Sequence, residues 1–96
     1  MNKTEHLLTC LMEECAEVQK AAAKALRFGL DDTSPDGTTN RQDIADECVD
    51  LLAVLEMLED EGIIPPFNTS QSTQPKKDKV SKYMDYAKGR GTLSGE

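Results

Sequence analysis

The sequence predicts an all-α protein, and three observations carry that expectation. The 96 residues are 38% hydrophobic but include only two Phe, two Tyr and no Trp, too little aromatic mass for an aromatic-filled core, whereas Leu, Ala, Met, Glu and Lys all favour helix. Apolar residues recur at helical spacing along two long stretches. A segment dense in Asp, Ser, Pro, Gly and Thr, LDDTSPDGTTN, separates those stretches and reads as a loop. A chain this short buries a modest share of its surface, so a homodimer or homotetramer is expected, with paired helices forming a bundle core.

The first helix is expected from about residue 4 to 28, opened by Asn2 or Thr4 and closed by Gly29, where positive φ is wanted. The second runs from Asn40 to Glu61, with Asn40 and Asp43 as a capping pair and Gly62 ending it before Pro65 and Pro66. Each spans about 30 Å at 1.5 Å per residue. The segment around 67–74 is polar, has no hydrophobic period and reads as a linker. A third helix is expected from Pro75 to about residue 89, presenting Val80, Tyr83, Met84 and Ala87 as one narrow stripe. It belongs to the same single domain as the antiparallel pair in 1–66, and residues 90–96 read as a flexible tail.

Composition excludes several classes. No run of 18 apolar residues exists and the start, MNKTEHLLTC, lacks the apolar core of a secretory signal, so a cytoplasmic, membrane-free protein is expected. Cys10, Cys15 and Cys48 are odd in number with no CxxC spacing, and His6 is the only histidine; this suggests buried apolar thiols rather than disulfides or zinc. The net charge of −7 is uneven. Residues 1–62 hold 15 acidic and 5 basic side chains, while residues 63–96 hold 3 and 6. An acidic body argues against duplex nucleic acid and suits cations.

The acids that matter lie within apolar stripes. On the first helix Leu7, Leu11, Val18 and Ala25 share a face that also takes in Glu14, with Glu17 at its edge. On the second, Ile44, Cys48, Leu51, Leu55 and Leu58, flanked by Val54, Met57 and Leu52, form a broad arc containing Glu47 and Asp50. The segments EECAEV (13–18) and DECVDL (46–51) overlay as acid, Glu, Cys, any, acid, aliphatic. Residues three apart share a helical face, so each helix aims two carboxylates one way. If the stripes pack, Glu14, Glu17, Glu47 and Asp50 converge, and their repulsion calls for a divalent ion. All-oxygen ligands select a hard one, Mg²⁺ with Mn²⁺ as substitute. A di-iron centre wants Glu-x-x-His, which neither helix has.

The pattern EECAE at 13–17 followed by ECVD at 47–50 resembles the EExxE and ExxD signature of the MazG-like all-α nucleoside triphosphate pyrophosphohydrolases. The likeness covers about residues 5–60, and KALRFG at 24–29 looks like phage-encoded members. It implies a Mg²⁺-dependent hydrolase that cleaves an NTP or dNTP between the α and β phosphates, with the acids matching Glu14, Glu17, Glu47 and Asp50 on the metal. Glu13 or one of those acids would orient the attacking water. Lys24 lies about 10 Å along the helix from Glu17, so Lys24 and Arg27, then Lys20, are the phosphate-contact candidates. Phe28 is a candidate for stacking on a base, though a Phe at a helix end is more often core. The alternative is a non-enzymatic helical interaction module whose apolar arcs dock a partner and which retains cation binding. Among enzymes, a phosphoribosyl-ATP pyrophosphohydrolase shares the chemistry.

Overall fold

The computed structural model describes residues 1–67 and 70–94, with the side chains of Ser70 and Gln71 left aside. It is all-helical: α1 Lys3–Phe28, α2 Asn40–Asp60 and α3 Ser70–Arg90. The chain divides into two compact units, Met1–Pro65 and Pro66–Glu96. No helix among the described residues is long and apolar enough to cross a membrane.

In the first unit α1 opens with a full capping box. The Asn2 side chain accepts from Glu5 N at 2.8 Å and Glu5 accepts from Asn2 N at 3.0 Å, which satisfies two donors of the first turn. Gly29, at φ 98°, ends the helix and donates to Ala25 O. Asn40 and Asp43 do not cap α2: Thr39 accepts from Gln42 N at 3.2 Å, leaving Asn40 free to turn back. Asn40 is buried and its Nδ2 donates to Gly29 O at 2.8 Å, so the first residue of α2 closes the end of α1. At the other end Lys3 pairs with Glu61 at 2.6 Å. Gly62, at φ 69°, donates to Glu59 O while Ile63 N reaches Leu58 O, the paired bonds of a Schellman stop.

The pair meets along a seam. Leu7, Leu11, Glu14, Val18, Ala21 and Ala25 alternate four- and three-residue steps on α1 and are buried or half-buried. On α2 the seam is Ile44, Glu47, Leu51, Val54 and Leu58, with Leu58 fully enclosed. This is the heptad spacing of helices packed side by side. It corrects the expected stripe on α2, because Cys48 is exposed and the half-buried position beside it belongs to Glu47. Cys15 is exposed as well, so two of the three thiols are not the buried apolar groups expected. Both fall on second rows that face water. On α1 that row is Leu8, Met12, Cys15, Gln19, Ala22 and Leu26, with Met12 72% and Leu26 89% exposed; on α2 it includes Val49 and Leu52.

In the second unit α3 begins at Ser70, five residues before Pro75, which lies inside the helix. The expected linker is therefore partly helical; its Asn68 and Thr69 lie outside the described residues. Pro75 withholds one helical bond, and Gln74 Nε2 donating to Asp78 Oδ1 at 2.9 Å braces the turn around it. The expected tail is not free either. Gly91, at φ 80°, donates to Lys88 O and Thr92 N to Ala87 O, a second Schellman stop that folds Leu93 back into a half-buried position. Gly95 and Glu96 of that tail lie outside the described residues.

Candidate metal and phosphate site

Glu14 of α1 meets Glu47 and Asp50, one turn apart on α2. Carboxylate oxygens of Glu14, Glu47 and Asp50 all lie within 4.8 Å of one another, with Glu14 and Glu47 half-buried and Asp50 exposed. Two oxygens on one Mg²⁺ at about 2.1 Å are at most roughly 4.2 Å apart. Oxygens in neighbouring positions of an octahedral ion are only about 3.0 Å apart, so the three side chains must draw in around the ion to share it, and their oxygen-only chemistry fits a hard divalent ion. They do not neutralise one another. Burial, then the charges of Asp50, Glu17, Glu14 and Asp43, push the Glu47 carboxyl above its ordinary value of 4.5.

Beside the acids lies a hollow of about 270 Å³ lined by Glu17, Lys20, Ala21, Lys24, Ser34, Asp36, Asp43 and Glu47. Glu47 links the two places. Glu17 is not one of the three clustered acids; it borders the hollow, near enough for its charge to act on Glu47. Lys24 is half-buried on the wall and Lys20 is exposed there. The remaining candidates stand apart from both places. Glu13 is exposed, and Arg27 lies over the Phe28 ring with its guanidinium carbon 4.9 Å from the centroid. Phe28 is 57% exposed rather than core.

Ion pairing does not account for the acids. The pairs among the described residues are Lys3–Glu61 and Arg41–Asp31, and neither involves a seam acid, Lys20, Lys24 or Arg27.

Three polar wall residues were not singled out for the site from the sequence. Asp43 precedes Glu47 by four residues and Asp50 by seven, so spacing alone aligns it with them on α2. Ser34 and Asp36 come from the loop, where Ser34-Pro35-Asp36-Gly37 forms a turn closed by Gly37 N to Ser34 O at 2.9 Å. Thr33 and Thr39 bridge at its base. Asp36 accepts from the Ser34 hydroxyl, from Thr38 Oγ1 at 2.8 Å and from Thr38 N at 3.2 Å; those bonds lower its carboxyl from 3.8 to about 2.

The arrangement can concentrate cations at one end of a small polar hollow whose wall carries two lysines. Nothing matches the chain among protein-family models, curated proteins or solved structures.

Proposed function

We propose that this chain is a Mg²⁺-dependent nucleoside triphosphate pyrophosphohydrolase of the MazG-like all-α kind, a cytoplasmic homo-oligomer that converts an NTP or dNTP to its monophosphate and pyrophosphate. The observation that carries the reading is the meeting of Glu14 and Glu47 at packed seam positions, where core spacing calls for apolar side chains, with the exposed Asp50 beside them. Acids retained at such positions without cationic partners are better explained by a ligand than by stability.

In this reading Glu14, Glu17, Glu47 and Asp50 hold the ion. When bound, it supplies charge neutralisation at the phosphates and a water of lowered pKa. The other contributions belong to the chain. Lys24, and after it Lys20, carry the phosphates along the hollow. Glu13 or one of the ligating acids orients the attacking water. Arg27 stays a phosphate candidate only if substrate draws it off Phe28. The hollow is below the roughly 300–1,000 Å³ of a typical ligand site. It suits a polyphosphate better than a whole nucleotide, and walls for the base fall to a partner subunit in the antiparallel bundle we propose.

The test is incubation of purified protein with Mg²⁺, or Mn²⁺ in its place, and a panel of canonical and modified triphosphates. Pyrophosphate and a monophosphate are expected; orthophosphate alone would overturn the bond assignment, and no product from any substrate would overturn the enzyme. The exposed row on α1 favours one second reading, a non-enzymatic module that docks a partner. Cation binding without turnover would select it.

A further inference from the structure

The unit Pro66–Glu96 carries six basic and three acidic side chains, against 15 acidic and 5 basic in Met1–Pro65. Its charges are also sorted around α3. At about 100° per residue, Val80, Tyr83, Met84 and Ala87 occupy one arc of the helix. Lys77 and Lys88 flank that arc on one side and Lys79 and Arg90 on the other, Lys76 lies within it one turn before Val80, and Asp78 and Asp85 share the far side with Lys82. Leu93, folded back by the bond from its N–H to Ala87 O, joins the apolar arc at its end. The apolar residues, with Lys76, Lys79 and Thr92, line a shallow groove of about 440 Å³. Val80, Tyr83 and Met84 are each about half exposed, at 47%, 59% and 51%.

An apolar arc between two lines of cations selects an occupant that is apolar in the middle and acidic around it. A lipid surface meets the charge requirement, yet membrane-lying helices use Leu, Phe or Trp on the buried face, and the arc on α3 itself has none. The α1–α2 pair meets both requirements. It has a net charge of −10, and Leu8, Met12, Leu26, Val49 and Leu52 are exposed in the chain taken alone.

We propose that α3 of one copy seats its apolar arc on the exposed rows of the α1–α2 pair of a second copy, reciprocally in a twofold dimer. The inference sharpens the oligomeric part of the reading above and does not depend on hydrolysis. Cys15 and Cys48 lie exposed on or beside those rows and serve as native reporters. In the full chain, Met84→Cys is made, unlabelled and ¹⁵N-labelled proteins are mixed in equal amounts, and a short bis-maleimide is added. Linked peptides joining position 84 to Cys15 or Cys48 are expected, with about half pairing light with heavy chains as random exchange in a dimer requires. Only same-label pairs, or no such links, would overturn the proposal.

A second measurement covers failure of that variant. Val80→Asp puts a carboxylate in the docked arc, and sedimentation is expected to show association weakened at least about tenfold. An unchanged oligomer would remove α3 docking while keeping the oligomer. A monomeric wild-type chain would remove both, and recovery of that chain as monomers on phosphatidylserine vesicles would assign the arc to membrane.

Discussion

Asp36 and Glu47 border the same hollow, and the chain treats their carboxyls in opposite ways. Asp36 sits in the loop turn with three donors around it, the Ser34 and Thr38 hydroxyls and the Thr38 amide, and is held ionised down to about pH 2. Glu47 sits on α2 among Asp50, Glu17, Glu14 and Asp43, and its carboxyl is pushed up. Both are acids in a polar wall, but only one has its charge answered by the protein. The loop carboxylate is held by hydrogen bonds and organises a turn; the seam carboxylate meets like charges, which in the proposed function a cation would offset.

The largest expected effect breaks the comparison at the seam. Glu47→Gln keeps the shape and hydrogen-bonding reach of the side chain while removing the charge, so pyrophosphate release is expected to fall at least about a thousandfold, more than 4 kcal/mol of transition-state stabilisation. Asp36→Asn removes the other carboxylate of the same hollow and is expected to cost activity less than about tenfold, acting through the turn. Equal losses in the two variants would dissolve the distinction. Steady-state rates with the best substrate of the panel decide it.

That distinction was half visible in the sequence. Glu14 and Glu47 could be placed in apolar stripes from spacing alone, because a heptad seam has a period that the eye can follow. Centring the α2 stripe on Cys48 was the error that periodicity invites, since it is adjacent to Glu47 and is the more apolar. The loop was legible as a loop, and its Ser-Pro-Asp-Gly turn was written in the residue types. Its return against the helices was not, because that depends on Asn40 closing α1 at Gly29, a bond between residues 11 apart. The start of α3 was missed for a similar reason. Ser70 to Gln74 offer no apolar period, and Pro75 marks a helix start far more often than a second turn. Gly91 was the overlooked stop signal, standing just past the last residue of α3.

A smaller effect sharpens the comparison on the cationic wall. Lys24 is half-buried on the hollow while Arg27 rests on Phe28. A charged hydrogen bond to phosphate is worth about 1.5–3 kcal/mol, so Lys24→Gln is expected to raise KM about tenfold or more. Arg27→Gln is expected to change it less than about twofold, as befits a surface side chain. The reverse order, from full saturation curves, would move the polyphosphate to the end of α1.

Cation binding gives the next effect in size, and it is independent of turnover. A ligand present at ten times its dissociation constant stabilises the folded state by about 1.4 kcal/mol. Mg²⁺ or Mn²⁺ is therefore expected to raise the melting temperature of the wild-type chain and of Asp36→Asn, and to leave Glu47→Gln unmoved. Ca²⁺, which prefers six to eight oxygens at longer distances, should stabilise less. A shift of equal size in all three proteins would mean that the ion binds elsewhere on the acidic surface.

The least of the effects is the pH dependence of the metal-free protein, where the two carboxyls pull in opposite directions. Glu47 has a higher proton affinity folded than unfolded, so its ionisation opposes folding; its contribution improves as pH falls from neutral toward its raised value above 4.5. Asp36 has the lower proton affinity folded, at about 2 against 3.8, so its contribution is complete above 3.8 and is lost as pH falls from there to 2. With chelator present, the melting temperature of Glu47→Gln is expected to exceed that of the wild type at pH 7 and to converge on it as Glu47 takes up its proton. Asp36→Asn should lie below the wild type at pH 7 and approach it only under pH 4. Added Mg²⁺ reverses the first of these trends, because the ion requires the ionised acids and competes with the proton for them. Parallel melting curves for wild type and Glu47→Gln across this range would show that the seam acids are as comfortable as the loop acid, and the contrast between the two carboxyls would lose its physical basis.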